Sequence, residues 1–243
     1  MDNNCYNNLV GAIRHFVSGW SKSRTKGEVL LTHESGGVIC SFDTPIGSVK
    51  RKHEAFIWNL SEFDLQSFKA SINDEQHFIT LFNLDMSVQH ELDLQQYLPV
   101  AEELMMSLDV SQLPGLLPQH EVKVLSNKDE VVWFNAQRGE DVVCLERFNK
   151  NDVVMYYLRD GQNLISWARA ISAGSDMVVD DVQTNPGYRR QGLSKRIMNH
   201  IIYDAQKADC QHIRLAASAL GQKLYYHLGF QSDIEMSVFS SVS

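Results

Sequence analysis

Residues 182–194 read VQTNPGYRRQGLS, a stretch that joins an apolar run to a basic, glycine-broken turn opening a long amphipathic segment. Met177, Val178, Val179 and Val182 lead into the turn and Pro186-Gly187 punctuates it. Leu193, Ile197, Ile201 and Ala205 then recur at helical spacing. Strand, turn and helix in that order make a cradle for an anion. The first N–H groups of a helix lack partners within it, and the positive end of its dipole lies there too. Gly192 lets the backbone approach a phosphate with no Cβ in the way.

The turn resembles motif A of the GNAT superfamily of acyl-CoA-dependent N-acyltransferases, where R/Q-x-x-G-x-G/A binds the CoA pyrophosphate. Here it reads Arg189, Arg190, Gln191, Gly192, Leu193 and Ser194, and only Ser194 departs from the pattern. A second match lies downstream: HIRLAAS as a strand, ALGQKLYYHLG as a helix closed by Gly229, then Phe230. It is similar to the family's L-Y-x-x-L-G-F ending, with Ser218 where many members carry Asn. Ser218, Gly221 and Tyr225 fall at i, i+3 and i+7, along one helical stripe able to face a pantetheine arm. The resemblance covers residues from about 120 to 243, and its sharp motifs occupy 182–195 and 218–230.

The resemblance implies acetyl-CoA as co-substrate, bound by Val182, Gln183, Thr184, Arg189, Arg190, Gln191, Gly192, Leu193, Ser194, Lys195, Ser218 and Gly221. It implies transfer of the acetyl group to an amine by direct attack. A freed backbone N–H on the strand carrying Gln183 and Thr184 would polarise the thioester carbonyl, and Tyr225 would act as general acid toward the departing thiolate. Asp180 and Asp181, on the strand entering the site, are the carboxylates expected as general base, directly or through water. Strand alternation puts Asp180 on the face of Val182 and Thr184. The acceptor, a small-molecule or peptide amine, is not legible.

The rest of the chain sets bounds. Its 243 residues, 44% hydrophobic, suffice for one large domain or two modest ones. Net charge is −8, and residues 1–118 hold 8 Lys+Arg against 15 Asp+Glu, which argues against nucleic acid as the main partner. No window nears the roughly 18 apolar residues of a membrane span, and MDNNCYNN does not read as a signal peptide, so a cytoplasmic protein is expected. Cys5, Cys40, Cys144 and Cys210 lie far apart without a C-x-x-C pair, and the nine histidines show no ligand spacing; no metal is expected. No G-x-S-x-G elbow, Walker A loop or dinucleotide fingerprint is present.

LPGLLPQH, residues 113–120, looks like a boundary. The expected organisation is an α/β protein: a divergent first half, 1–112, then a GNAT-like catalytic half, 119–243, with a mixed twisted sheet flanked by helices. In the second half, 121–125 predicts a strand, and Asn127 caps a helix running to 137. Residues 153–158 and 163–171 are strands joined at Asp160-Gly161. A strand over 177–184, the helix over 190–208, a strand over 212–217, a helix over 219–229 and a strand over 235–241 follow. The stretch 139–149 leaves little room for a second helix. In the first half the pattern predicts a helix over 8–20, strands over 28–33, 38–42, 54–58 and 77–83, and a helix over 94–108. GWSKSR followed by HFITLF allows a degenerate GNAT-like repeat there. That half shows no phosphate loop, so it is expected to be structural, to shape the acceptor site or to mediate homodimer formation. A silent CoA sensor or an interaction scaffold are the competing readings.

Overall fold

The computed structural model describes residues 2–47, 49–82, 97–145, 148 and 153–241. The chain runs α1 (Asn3–Arg24), β1 (Val29–Glu34), β2 (Gly37–Ile46), β3 (Arg51–Ile57), α2 (Leu65–Ser71), β4 (His77–Phe82) and β5 (Tyr97–Asp109). It continues through β6 (Lys123–Val124), α3 (Lys128–Arg138), β7 (Val153–Asp160), β8 (Asn163–Ala173) and β9 (Asp176–Thr184). After a single 3₁₀ turn (Pro186–Tyr188) come α4 (Leu193–Lys207), β10 (His212–Ser218), α5 (Ala219–His227) and β11 (Gln231–Ser241).

All described strands join one sheet, in the order β1-β2-β3-β4-β11-β5-β10-β9-β8-β7-β6. Most pairings are antiparallel. The exceptions are β3 with β4 and β9 with β10, each a parallel pair linked through a helix. Read outward from the central antiparallel pair of β11 and β5, the two wings share one sequence of pairings, antiparallel, parallel, antiparallel, antiparallel, to which the second wing adds the short antiparallel β6. A pseudo-two-fold therefore relates the halves, with the final strand of each inserted beside the parallel pair of the other.

Helices cover both faces of the second wing. Ile197, Met198, Ile201, Ile202 and Ala205 of α4 pack with Met106, Leu108, Ala168, Ala170, Met177, Val179 and Leu215 on one face. On the other face α1 buries Ile13, Phe16, Val17 and Trp20 against Met105 and Val178, and extends over Phe56 and Phe82 of the first wing. Coverage on both sides explains why β8 is buried over nearly its whole length rather than alternately.

Local signals hold where the chemistry is local. Asn127 caps α3, its side chain accepting from the Glu130 N–H at 2.9 Å, and Gly161-Gln162 closes the β7–β8 hairpin. The first-half strands appear near their predicted positions; Asn83 lies outside the described residues. The helix predicted over 94–108 is corrected: residues 97–109 form β5, and 94–96 are outside the described residues. The run VAEELMMSL carries helical spacing, but its neighbours on both sides are strands, and a sheet centre overrides a modest propensity.

Candidate active site

The parallel strands β9 and β10 pair only at His212–Arg214 with Asp176–Val178. Past that point they diverge, while β10 stays paired with β5 as far as Ser218 and Glu103. The gap opens a cleft of about 990 Å³ at the C-terminal ends of the two parallel strands, the usual place for a ligand in such sheets. On the β10 side, backbone groups of β9 beyond Val178 lose their ladder partners.

At one end of the cleft lies the N-terminus of α4. Gly192 is its N-cap, left-handed at φ 76°, and no side chain caps the helix. A Cβ built on Gly192 would meet no protein atom within 4 Å, so the open space belongs to the cleft. Arg190 is also left-handed at φ 64°, a costly state for a side-chain-bearing residue and one that gathers at functional sites. Arg189 donates through Nε to the Thr184 carbonyl at 3.2 Å. Ser194, the motif's departure, is accommodated by Thr184, whose hydroxyl lies 2.7 Å from its own, with Ser166 completing the chain at 2.9 Å. Lys195 donates to His227 on α5 at 2.9 Å.

Across the cleft, Tyr225 is buried among the α4-side core residues, its ring 5.6 Å from that of Phe230. Gly221 makes this position possible: a Cβ there would stand 2.9 Å from the Tyr225 ring. Burial, then the charges of Asp180 and Glu103, push the Tyr225 hydroxyl above its ordinary pKa. The residues singled out by sequence thus converge on this one cleft, with Gln191 alone outside its lining.

The two aspartates differ from expectation. Asp181 is left-handed at φ 53° and forms a bulge in β9 opposite the Trp167–Arg169 segment of β8. An extra residue shifts the alternation. Val182 packs into the α4-side core, whereas Asp180 turns to the α1 side, so the shared face predicted for Asp180, Val182 and Thr184 is corrected. Asp180 accepts from Ser23 at 2.9 Å, Arg24 at 2.9 Å and Arg169 at 3.0 Å. Burial would raise its pKa, but Arg24, Arg169 and Ser23 together hold it below the usual value. Asp181 is tied to Arg138 at 2.8 Å and to Gln183 at 2.6 Å.

Because Asp180 compensates the buried Arg169, Asp180→Asn should destabilise the protein by about 3 kcal/mol in denaturant melts at pH 7. A depressed carboxylate pKa contributes stability above the unfolded value and loses it as pH falls through the folded one. The variant's deficit should therefore shrink below about pH 4. An unchanged melt at pH 7 would show that the pair carries no net stability.

Sequence reasoning missed Glu103 and Arg24, both of which line the cleft. Glu103 sat in the run read as a helix, and Arg24 reaches the site only because α1 continues past residue 20.

The described strands of the first half do not show that gap. Its parallel pair stays joined over five rungs, from His53–His77 to Ile57–Leu81, without diverging. Its crossover helix α2 is capped by Asp64, which accepts from the Ser67 N–H at 2.9 Å and hydroxyl at 2.7 Å. A carboxylate occupies the place an anion would need. Among the described residues there is also no group of three His, Cys, Asp or Glu placed to hold a metal, and no helix long and apolar enough to cross a membrane.

Residues 126–240 match the sequence family described as acetyltransferase (GNAT) domain. An uncharacterized N-acetyltransferase, ycf52, of Gracilaria tenuistipitata var. liui is 29% identical over 106 residues, 43% of this chain. The matched part is 58% of that relative's length. Among solved structures, a GCN5-related N-acetyltransferase from Kribbella flavida superposes with a TM-score of 0.69 at 15% identity, over 97% of this chain and 95% of its own. A GNAT-family acetyltransferase from Novosphingobium aromaticivorans gives 0.59 at 14% identity, over 94% and 96%. At these identities the structural matches speak for the fold, and they speak for it across both halves.

Proposed function

Since residues 126–240 make the second half of this chain a GNAT acetyltransferase domain, we propose that the protein transfers an acetyl group from acetyl-CoA to an amine within the cleft between β9 and β10. The observation that carries this reading is the uncapped N-terminus of α4 at Gly192, open toward a cleft whose other wall holds Tyr225. The first-turn N–H groups of α4, with Arg189 and Arg190, would bind the pyrophosphate. The pantetheine arm would then pass Ser218 and Gly221 toward the gap between the strands. There the unladdered edge of β9 would offer an N–H to the thioester oxygen as negative charge develops on it. The amine nitrogen attacks the carbonyl carbon, the C–S bond breaks, the sulfur takes a proton from Tyr225, and the nitrogen's excess proton returns to Tyr225 through water.

Calorimetry with acetyl-CoA tests the cradle. A Val at Gly192 puts a branched side chain into the open space and into a left-handed backbone, which costs about 1–2 kcal/mol before any ligand is present. Gly192→Val should weaken acetyl-CoA binding at least tenfold, about 1.4 kcal/mol, while circular dichroism stays native. Unchanged affinity would remove the anion-cradle assignment. Turnover is tested by release of free CoA thiol across a panel of amines. Tight binding of acetyl-CoA with no transfer to any of them would favour a silent sensor instead.

A further inference from the structure

We infer that Glu103, supplied by the first half of the chain, is the catalytic base that deprotonates the acceptor amine on the side of the sheet opposite Tyr225. The inference rests on the acetyl-transfer reading above and adds to it the identity and origin of the base. Glu103 is opposite Ser218 on the last rung of the β5–β10 ladder, at the lip of the gap where β9 and β10 part. Its neighbours in β5 fix its direction: Leu104 and Met106 belong to the α4-side core, and Met105 to the α1-side core. By alternation Glu103 points to the α1 side, while Tyr225 belongs to the α4-side core. Both line the same cleft. A thioester carbonyl held in the gap would thus have its leaving sulfur near Tyr225 and its open face toward Glu103.

Three carboxylates line this cleft, and two are consumed by their partners. Asp180 holds Ser23, Arg24 and Arg169, and Asp181 holds Arg138 and Gln183. Glu103 makes no hydrogen bond or ion pair with any described residue, and its lone pairs remain available. The charged groups around it are Arg24 on α1, Asp180 on β9 and Glu54 on β3, with the neutral hydroxyl of Tyr225 on α5. Burial, foremost, and then Asp180 and Glu54 push its pKa up against the opposing pull of Arg24. A carboxylate whose pKa is raised is a stronger base than a solvated one.

The proton count closes. An acceptor ammonium gives one proton to the Glu103 carboxylate, and the freed nitrogen lone pair attacks the carbonyl carbon. As the tetrahedral intermediate collapses, the C–S electron pair goes to sulfur, which takes the Tyr225 proton. The nitrogen's excess proton returns to Tyr225 through water. Glu103 then loses its proton to solvent, leaving amide, CoA thiol and one proton.

Glu103→Gln is tested on the full chain with two probe nucleophiles, methylamine and hydroxylamine. Methylamine is an ammonium at pH 7 and needs a base; hydroxylamine is already neutral. Wild type should acetylate both. The variant should lose 10²–10⁴-fold in kcat/KM toward methylamine together with the acidic limb of that pH profile. It should keep its hydroxylamine rate and its acetyl-CoA affinity. Removing a half-buried charge should also leave the variant melting no lower than wild type at pH 8. Equal losses toward both nucleophiles, or no loss toward methylamine, would overturn Glu103 as the base while leaving acetyl transfer standing. Failure of wild type to acetylate either probe, with acetyl-CoA bound, would overturn the acetyl-transfer reading and this inference with it.

Discussion

Expressed without the first half, residues 119–243 should fail to fold, and co-expression with residues 1–112 should restore a soluble complex that binds acetyl-CoA. The sequence alone suggests that the second half could bind CoA by itself, because both family motifs lie within it. The sheet order leads elsewhere. Strand β5 pairs with β10 at seven positions and with β11 at ten, and its Met106 and Leu108 share a core with Ile197 and Ile201 of α4. Deleting it leaves two central strands with bare edges and a trough in the core. Loss of a single buried Met or Leu side chain costs about 2–5 kcal/mol. Two such losses already reach the scale of a whole domain's stability, about 5–15 kcal/mol, before any hydrogen bond is counted. Exposed edges of this kind also template aggregation. Solubility, gel filtration and circular dichroism of the fragment decide the matter. A monomeric 119–243 fragment with native circular dichroism would show that β5 is dispensable and that the halves are separable.

The same interleaving explains which parts of the molecule were legible in sequence. The turn into α4 was readable because its determinants are neighbours: Gly192 turns the chain, Arg189 and Arg190 flank it, and the apolar stripe of α4 begins at once. The Asn127 cap and the Gly161 hairpin were readable for the same reason, each being a bond or a turn spanning a few residues. Strand β5 was not, since AEELMM has the composition of a helix and becomes a strand only when β10 and β11, more than a hundred residues later, flank it. The bulge at Asp181 leaves no mark that separates it from ordinary alternation, so the faces of Asp180 and Val182 were assigned by a period the strand does not keep. Glu103 inherits both difficulties. It lies on the misread strand, and its meaning depends on a gap formed by two others.

Replacing Tyr225 by Phe should lower kcat about 100-fold and leave acetyl-CoA affinity nearly unchanged. The ring is held by Phe230 and by the space over Gly221, so its packing survives the substitution. Its hydroxyl bonds no described residue, and little stability should be lost. The expected defect is therefore confined to the chemical step, about 2.7 kcal/mol, at the lower end of general-acid contributions because a thiolate leaves tolerably well unaided. The raised pKa of Tyr225 is consistent with this role. Desolvation, the first cause of that shift, keeps the hydroxyl in its protonated, donating form. The upward shift also sets the pH behaviour. The hydroxyl stays protonated up to at least its ordinary value of 10.0, so the loss on removing it should be constant through the neutral range. That separates it from Glu103→Gln, whose defect is carried by an acidic limb. A mutant that loses kcat but not binding has lost an interaction made in the transition state. If the Phe variant turns over normally where chemistry limits the rate, Tyr225 is a packing residue, and the proton must reach sulfur from water.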